Sequence, residues 1–200
     1  MQIFKYGQRE IQYLKKNDKR LGAAIDRIGM IERGIIPDLY AALINSIVGQ
    51  QISSKAAETV WNRFVEKIGC ITPGTIAATA PELIQQCGMS NRKVQYIKGI
   101  TQAVIDRSLD LQELQRKGDD EVISCLSSLN GIGKWTAEML LIFSMERPDV
   151  VSWGDLAIRR GIMKLYGLDT LSKEEFDKYV KRYSPYGSVA SLYLWALSKE

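Results

Sequence analysis

One stretch of the sequence, residues 129–155, reads LNGIGKWTAEMLLIFSMERPDVVSWGD. Gly131 and Gly133 flank a single apolar residue and separate two segments with helical apolar spacing. Glycine permits positive φ angles and the close approach of another backbone, so the pattern predicts a tight turn between two helices. The first amide groups of the second helix lack intrahelical partners. Together with the helix dipole, they suit a phosphate group.

The composition is that of an ordinary globular protein. Hydrophobic residues make up 46% and charged residues 25% of the 200 positions, which is enough for a sizeable core. No apolar run approaches the roughly 18 to 20 residues needed to span a bilayer, and residues 1–6 lack the apolar segment of a signal peptide. The sequence therefore predicts a cytoplasmic protein without a membrane partner.

Histidine is absent from the sequence. Its absence excludes Ser-His-Asp and Cys-His catalysis and removes the commonest zinc ligand, so carboxylates, Lys, Tyr, Ser and Cys remain as catalytic groups. Cys70, Cys87 and Cys125 are widely spaced and odd in number, which favours reduced thiols over disulfides or a Cys₄ cluster. The net charge of +4 is only a weak indication of a polyanionic partner.

Apolar residues recur every three to four positions in nearly every segment, and no convincing alternating strand is found. The pattern predicts ten to twelve helices and an all-α fold. Several boundaries are marked by capping residues. Asp18 and Gly29 bound one predicted helix, and Ser172 with Glu175 forms the capping box of another.

A helix predicted from residue 91 to about residue 107 has one apolar and one basic face. The side chains expected to point inward are Val94, Ile97, Ile100, Val104 and Ile105. Those expected to face solvent are Arg92, Lys93 and Lys98. A basic face of this kind is a candidate contact for nucleic acid, although a solvated helix face explains it equally well.

The glycine turn, with Asp155 about twenty residues beyond it, resembles the hairpin and catalytic aspartate of the helix-hairpin-helix (HhH-GPD) DNA glycosylase superfamily. Two further segments, GQQISSKAA at 49–57 and SPYGSVASLYLW at 184–195, resemble its alkylated-base branch, 3-methyladenine DNA glycosylase II. The resemblance covers nearly the whole chain from about Asp38 onward. It implies two helical lobes with an active-site cleft between them.

The resemblance also implies lobe boundaries and an activity. A central helical barrel is expected over residues 36–146, with its hairpin at 119–144, and a second lobe over residues 1–35 plus 147–200. The implied activity is base excision repair. The enzyme would flip alkylated purines out of double-stranded DNA and remove them by hydrolysis, as a monomer.

Asp155 is the catalytic candidate that the resemblance implies. Cleavage of an N-glycosidic bond builds positive charge at C1′, which a fixed carboxylate stabilises, and the same group can orient or deprotonate the attacking water. An aspartate before a helix is also a common N-cap, and the residue types alone favour that interpretation. The two roles are compatible.

Aromatic residues are the candidates for the base pocket. Trp135 and Trp195 match pocket positions of the alkylated-base branch, and Tyr193 and Trp153 are further candidates. A cationic N-alkylated purine is attracted to an indole face, and its charge makes the base a good leaving group without a strong general acid. Tryptophans at helical spacing more often belong to the core, so that alternative stays open.

The remaining candidates would contact DNA. Gln51 matches the family's wedge, the side chain that fills the space left by an extruded nucleotide, although a helix-end glutamine bonded to the backbone is an alternative. The DNA-contacting residues that the resemblance implies are Gly131, Gly133, Lys134, Thr136, Gln50, Gln51, Ser53, Arg92 and Lys93. Gly187 stands where relatives often have arginine, so this chain lacks the contact that the arginine side chain makes.

In relatives the hairpin also binds a monovalent cation through main-chain carbonyls. The matching residues here are Ser127, Leu129 and Ile132, which predicts a Na⁺ or K⁺ site. No other cofactor is expected. Some relatives carry a C-terminal iron–sulfur cluster, and this chain lacks the cysteines for one.

Two other functions remain open. A bifunctional oxidised-base glycosylase with lyase activity needs an amine nucleophile, and relatives of that kind have a lysine at the position of Trp135. Lys134 lies one position earlier, where it should face the phosphates. A non-catalytic DNA-binding module would use the hairpin alone, which leaves Asp155 and the aromatic residues unexplained.

Overall fold

The computed structural model describes residues 2–200 and is predominantly helical. Thirteen α-helices occur in this range, one more than the largest number expected, and the all-α prediction is confirmed. In chain order, the helices are α1 (Gln8–Asn17), α2 (Lys19–Ile28), α3 (Leu39–Val48), α4 (Ser54–Ile68), α5 (Pro73–Ala78), α6 (Pro81–Gln85), α7 (Asn91–Ile105), α8 (Leu111–Arg116), α9 (Asp119–Ser127), α10 (Lys134–Phe143), α11 (Leu156–Tyr166), α12 (Lys173–Tyr183) and α13 (Gly187–Leu197).

A small antiparallel sheet is the exception to the helical pattern. It pairs β1 (Gln2–Ile3) with β2 (Gly34–Ile35), and the hydrogen-bonded register sets Gln2 opposite Ile35. Strands of two residues are too short for an alternating apolar pattern to be recognised, which is why the sequence did not predict them.

The chain divides into two compact units. One comprises the residues up to Ile35 together with Leu141–Glu200, and the other comprises Ile36–Leu140. The division lies within α10, earlier in the chain than the boundary expected at residue 146. Across residues 2–200, no helix combines the length and the apolar character that crossing a membrane requires.

In the unit of residues 36–140, α7 packs against α3, α5 and α6. Val94, Ile97 and Ile100 are buried as expected. The inward prediction for Ile105 is wrong, because this side chain is 46% exposed. Ile105 is the last residue of α7, where the helix runs out into a loop and no neighbouring element covers it.

Lys98 is a second correction on α7. Its Nζ donates to the main-chain carbonyls of Ile76, Ala77 and Thr79, at 2.6, 3.1 and 2.5 Å. These carbonyls lie at the C-terminal end of α5, where the last helical carbonyls lack intrahelical donors and the helix dipole favours a cation. The lysine therefore caps a neighbouring helix instead of facing solvent.

In the other unit, α11 and α13 cross closely at Gly161. A Cβ added to this glycine would lie 2.1 Å from the main-chain oxygen of Leu194, so no other residue permits this approach. The close crossing brings the following residue, Trp195, within hydrogen-bond distance of Asp155, the residue that precedes α11.

The capping predictions in this unit are confirmed. The Asp18 side chain accepts hydrogen bonds from the main-chain N–H groups of Arg20 and Leu21, and α2 ends at Gly29 with a φ angle of 78°. Ser172 and Glu175 form the expected capping box of α12.

Candidate active site and DNA-contacting turns

Residues 147–155, here called the aspartate segment, form neither helix nor strand. Two serines of α13 hold its main chain. Ser188 Oγ donates to the Arg147 carbonyl (2.6 Å) and accepts from the Val150 N–H (3.0 Å). Ser191 Oγ donates to the Val150 carbonyl at 2.9 Å. Val150 is buried, and buried main-chain groups outside helices and strands need such partners, so the serines fix the path that leads to the catalytic candidate.

Gly187 is tied to the same segment through Asp149. The Asp149 carboxylate accepts hydrogen bonds from the Gly187 N–H (2.9 Å) and from Ser184 Oγ. A Cβ added to Gly187 would lie 2.7 Å from Asp149 Oδ1 and 2.8 Å from a methyl group of Val151. The arginine that relatives often have at this position therefore does not fit here, which explains the departure noted in the sequence.

Asp155 is the N-cap of α11. Its Oδ1 accepts hydrogen bonds from the main-chain N–H groups of Ala157 (2.8 Å) and Ile158 (3.0 Å), and the side chain is only 7% exposed. Its second oxygen, Oδ2, accepts a hydrogen bond from Trp195 Nε1 at 3.1 Å. The capping interpretation is thus correct. It leaves Oδ2 directed by a side chain from another helix.

Trp195 therefore has a partner that the sequence did not reveal. Its indole N–H points at the Asp155 carboxylate, and its ring centroid lies 5.4 Å from that of Phe143, with the planes tilted by 32°. The guanidinium of Arg33 lies 5.2 Å from the Phe143 ring on the same unit. The indole N–H and the Asp155 carboxylate are thus joined by a hydrogen bond.

Tyr193 and Trp153 have protein partners in the same unit. Tyr193 has no exposed surface, and its hydroxyl donates to the Gly29 carbonyl at 3.1 Å, a core arrangement that accounts for the residue without a base. The Trp153 ring packs edge to face on Phe176 at 5.1 Å, with the Arg159 guanidinium 4.8 Å from its centroid. Their assignment to the base pocket stays a prediction.

Residues 128–133, here called the hairpin turn, join α9 to α10. Gly131 has a φ angle of 91°, and a Cβ added there would lie 2.4 Å from the Tyr96 ring. Glycine is therefore required at 131 by both conformation and packing. Gly133 does not use a positive φ angle, and nothing in the protein lies within 4 Å of an added Cβ. Its side-chain position is open to an approaching molecule.

Residues 49–53, here called the Gln-Gln turn, join α3 to α4. The Gln50 side chain donates through Nε2 to the Gly131 carbonyl at 2.6 Å. Gln51 is exposed and has a φ angle of 57°, a left-handed conformation that is uncommon outside glycine. Ser53 caps α4 by accepting from the Ala56 N–H. The exposed Gln51 therefore projects from a turn whose neighbours are fixed.

Lys93 departs from its predicted solvent-facing position, whereas Arg92 is exposed as predicted. Lys93 is half-buried and donates through Nζ to the Val48 carbonyl at 2.8 Å, and burial lowers the pKa of this lysine. Its predicted exposure is wrong, because the open end of α3 supplies a carbonyl acceptor. Arg92 is exposed and donates through Nε to the Tyr96 hydroxyl, with its guanidinium 5.4 Å from that ring.

The first turn of α10 carries three of the predicted contacts. Lys134 and Trp135 are exposed, Trp135 by 49%, and Thr136 is half-buried. A tryptophan this exposed is not a core residue. The exposure of Trp135 settles whether it belongs to the core, which the sequence alone left undecided.

The carbonyls predicted to bind a monovalent cation lie around the hairpin turn. The Leu129 carbonyl accepts from the Ile132 N–H at 3.0 Å, which leaves its second lone pair. Ser127 Oγ is buried, with no hydrogen-bond partner among the residues described. Oxygen ligands of this kind, a carbonyl with a remaining lone pair and a hydroxyl without a hydrogen-bond partner in the described part of the chain, suit a hard monovalent cation.

Comparison with known proteins identifies the family of the chain. Residues 44–185 match the family described as HhH-GPD superfamily base excision DNA repair protein. The chain is 37% identical over 165 residues to DNA-3-methyladenine glycosylase 1 of Schizosaccharomyces pombe. The alignment covers 80% of this chain and 72% of that protein.

Two solved structures are similar over nearly the full length. The DNA-3-methyladenine glycosidase of Bacillus halodurans superposes with a TM-score of 0.86 at 34% identity, covering 99% of this chain and 93% of that one. The 3-methyladenine DNA glycosylase of Schizosaccharomyces pombe, solved in complex with abasic DNA, superposes with a TM-score of 0.83 at 33% identity. This superposition covers 96% of this chain and 98% of that one.

Proposed function

Because the chain belongs to the HhH-GPD superfamily of base excision DNA repair proteins, we propose that it is a DNA glycosylase of the 3-methyladenine DNA glycosylase II type. Its substrate is double-stranded DNA that contains an alkylated purine, such as 3-methyladenine or 7-methylguanine. It acts as a monomer in the cytoplasm, where the nucleoid supplies its DNA.

The geometry around Asp155 is the observation that carries this proposal. A buried carboxylate is unfavourable unless hydrogen bonds compensate its lost hydration. Here two main-chain N–H groups hold Oδ1, the α11 dipole favours the negative charge, and the Trp195 indole directs Oδ2. A fixed carboxylate in a poorly hydrated setting is what an oxocarbenium-like transition state requires.

The reaction then proceeds as a hydrolysis. The bond between C1′ and the purine nitrogen breaks, and its electron pair leaves with the base, which neutralises the positive charge of the alkylated ring. Asp155 stabilises the cationic sugar electrostatically, orients the water that attacks C1′ and accepts the proton that this water loses. The leaving group departs without a general acid, which is consistent with a chain that contains no histidine.

Selection of the base rests on the tryptophans. Trp135 is exposed at the start of α10, and Trp195 is held at Asp155 through its N–H edge. An indole face attracts a cationic purine by about 0.5 to 2 kcal/mol relative to a neutral one. This preference favours alkylated purines that carry a formal charge. Trp153 and Tyr193 contribute less, since protein neighbours already occupy them.

The hairpin turn and the Gln-Gln turn bind the DNA. The amide groups of Gly133 and Lys134 begin α10 and bind a phosphate, with the Lys134 ammonium adding charge. Gln51 fills the space left by the extruded nucleotide. The carbonyls of Ser127, Leu129 and Ile132 would hold a Na⁺ or K⁺ ion, which would supply positive charge at the hairpin turn.

The enzyme is monofunctional. A lyase requires an unprotonated amine that attacks C1′ and forms a Schiff base. Lys134 is exposed at the start of α10, on the turn proposed to bind a phosphate, so its amine is directed to the DNA backbone and not to C1′. The neighbouring position is Trp135, which has no amine. Water is therefore the attacking group, and the product is an intact abasic strand.

Base release is the first test. The protein is incubated with methylated duplex DNA, the released bases are separated by chromatography, and abasic sites and strand breaks are assayed on the same DNA. We expect methylated purines and abasic sites in equal amounts, without strand breaks. Binding without any base release would support a DNA-binding module instead.

Borohydride trapping tests the reaction type. During turnover on a duplex containing a lesion, we expect no covalent protein–DNA adduct, since no imine forms. An efficiently trapped adduct that disappears in Lys134→Gln and persists in Lys19→Gln would overturn the monofunctional assignment. Lys19 serves as the control because it is an exposed lysine at the first residue of α2.

A further inference from the structure

The Gln-Gln turn and the hairpin turn are joined by one side chain. Gln50 Nε2 donates to the Gly131 carbonyl at 2.6 Å, across 81 residues of sequence. The amide is half-buried, so solvent competes weakly for the bond. One end of this bond belongs to the turn proposed to hold a phosphate. The other adjoins Gln51, which is proposed to occupy the space of the extruded nucleotide.

The Gly131 end of this bond is rigid. The Tyr96 ring lies against the Gly131 Cα so closely that an added Cβ would be 2.4 Å from the ring. The Tyr96 hydroxyl in turn accepts a hydrogen bond from Arg92. The carbonyl that receives Gln50 is therefore fixed by a positive φ angle and by an aromatic ring behind it.

The Gln-Gln turn is also fixed on either side of Gln51. Before it, Lys93 Nζ donates to the Val48 carbonyl at 2.8 Å, at the last residue of α3. After it, Ser53 caps α4. Gln51 itself is exposed, in a left-handed backbone conformation that neighbouring contacts must hold. Three anchors thus surround one projecting side chain, and Gln50 is the anchor that reaches the hairpin turn.

We propose that Gln50 is a positioning residue that couples the two turns, so that a phosphate bound at the hairpin turn sets the position of Gln51 for base extrusion. This inference rests on the proposed function. Unstacking and unpairing a nucleotide cost free energy, and a wedge recovers it only if the protein holds the wedge against the gap. Gln50 supplies that support without itself entering the DNA.

The test compares two substrates that differ only in the need for unpairing. One duplex has 7-methylguanine paired with cytosine, and the other has 7-methylguanine opposite an abasic analogue. For Gln50→Leu, we expect single-turnover base release from the paired duplex to fall about 10-fold, the effect of one hydrogen bond. Release from the unpaired lesion should change by less than about two-fold, because no partner base resists extrusion.

Two further variants keep the test decisive. Gln102→Leu is the matched control, since Gln102 also donates through Nε2, to Asp106 on the exposed surface beside α7, and it should match the wild type on both duplexes. Gln50→Asn retains the amide but is one methylene too short to reach Gly131. It should reproduce the defect of Gln50→Leu, so the result does not depend on a variant that introduces an apolar side chain.

The outcomes separate this inference from the function on which it rests. If the wild type releases no base, the proposed function fails. If the wild type is active and Gln50→Leu releases the base more slowly by the same factor on both duplexes, Gln50 contacts DNA directly and the coupling is refuted. A Gln50→Leu variant that equals the wild type on the paired duplex also refutes it. Only a loss confined to the paired lesion supports positioning.

Discussion

Asp18 and Asp155 are two buried aspartates that cap helices in the same way, and their neighbours make them different. Each accepts two main-chain N–H bonds through Oδ1 and a side-chain donor through Oδ2, and their exposed fractions are 4% and 7%. At Asp18 the outer oxygen accepts from the Tyr166 hydroxyl, with an Arg182 guanidinium nitrogen at 3.5 Å. At Asp155 it accepts from the Trp195 indole.

The difference lies in the partners of the second oxygen, Oδ2. Around Asp18, Arg182 supplies a compensating charge, and the Tyr166 hydroxyl is bonded onward to that of Tyr183 at 3.0 Å. The carboxylate is thus built into a structural network. The outer oxygen of Asp155 accepts from the Trp195 indole, a neutral donor. The same local cap is thus completed by different side chains from distant helices at the two positions.

Asp155→Asn should produce the largest effect. We expect base release to fall at least about 1,000-fold, because the amide loses the charge that stabilises the developing sugar cation. DNA affinity should stay within a few-fold, since phosphate contacts dominate it. The measurements are single-turnover release of 7-methylguanine and binding to a duplex with an abasic analogue.

Asp18→Asn is the control for this substitution. Each variant should lose about 1 to 3 kcal/mol in the free energy of unfolding, through weakened capping and weakened hydrogen bonding of the outer atom. Base release by Asp18→Asn should remain within about two-fold of the wild type at a temperature where both are folded. Equal inactivation of the two variants, or more than a tenth of wild-type activity in Asp155→Asn, would contradict a catalytic role that Asp155 has and Asp18 lacks.

Trp195→Phe should have an intermediate effect. It retains an aromatic face and removes the N–H that directs the Asp155 carboxylate, so we expect about a 10-fold slower release. The loss should be similar for cationic 7-methylguanine and neutral hypoxanthine, because it acts through Asp155. Trp195→Leu removes the π face as well and should discriminate further against the cationic base. If Trp195→Phe is fully active, the indole N–H has no catalytic consequence.

The smallest effect concerns alkaline stability of the Asp18 network. Burial, followed by the hydrogen bond to Asp18, raises the pKa of Tyr166. The folded protein thus retains a proton that the unfolded chain releases near pH 10, and stability from this group is lost as the pH rises above that value. In Tyr166→Phe, the decline of the unfolding free energy above about pH 10 should be shallower, by up to about 1.4 kcal/mol per pH unit.

Denaturant unfolding between pH 9 and pH 11 measures this decline. Tyr166→Phe should be less stable than the wild type at pH 8, by about 1.5 to 3 kcal/mol, because Asp18 loses a hydrogen-bond donor. Its base release should be unchanged. An unaltered pH dependence would show that Tyr166 titrates alike in both states and would remove it from the network.

Short-range patterns predicted much of the fold. Caps such as Asp18 and Ser172 depend on contacts within three residues, so their sequence signals were sufficient. The predictions for Lys93 and Lys98 were wrong, since both reach carbonyls at the ends of other helices. Their partners lie 19 to 45 residues away in the sequence, and no periodicity on α7 indicates them.

In the candidate site, too, local features were predictable from the sequence and long-range contacts were not. The sequence by itself determined the all-α class, the glycine turn and an aspartate at the start of a helix, because each follows from local conformation or spacing. Only the tertiary structure decided which partners complete them. Trp195 reaches Asp155 because Gly161 lets α13 approach α11, and Gln50 reaches Gly131 because α3 ends beside the hairpin turn. Such contacts depend on packing between distant segments, which local patterns do not encode.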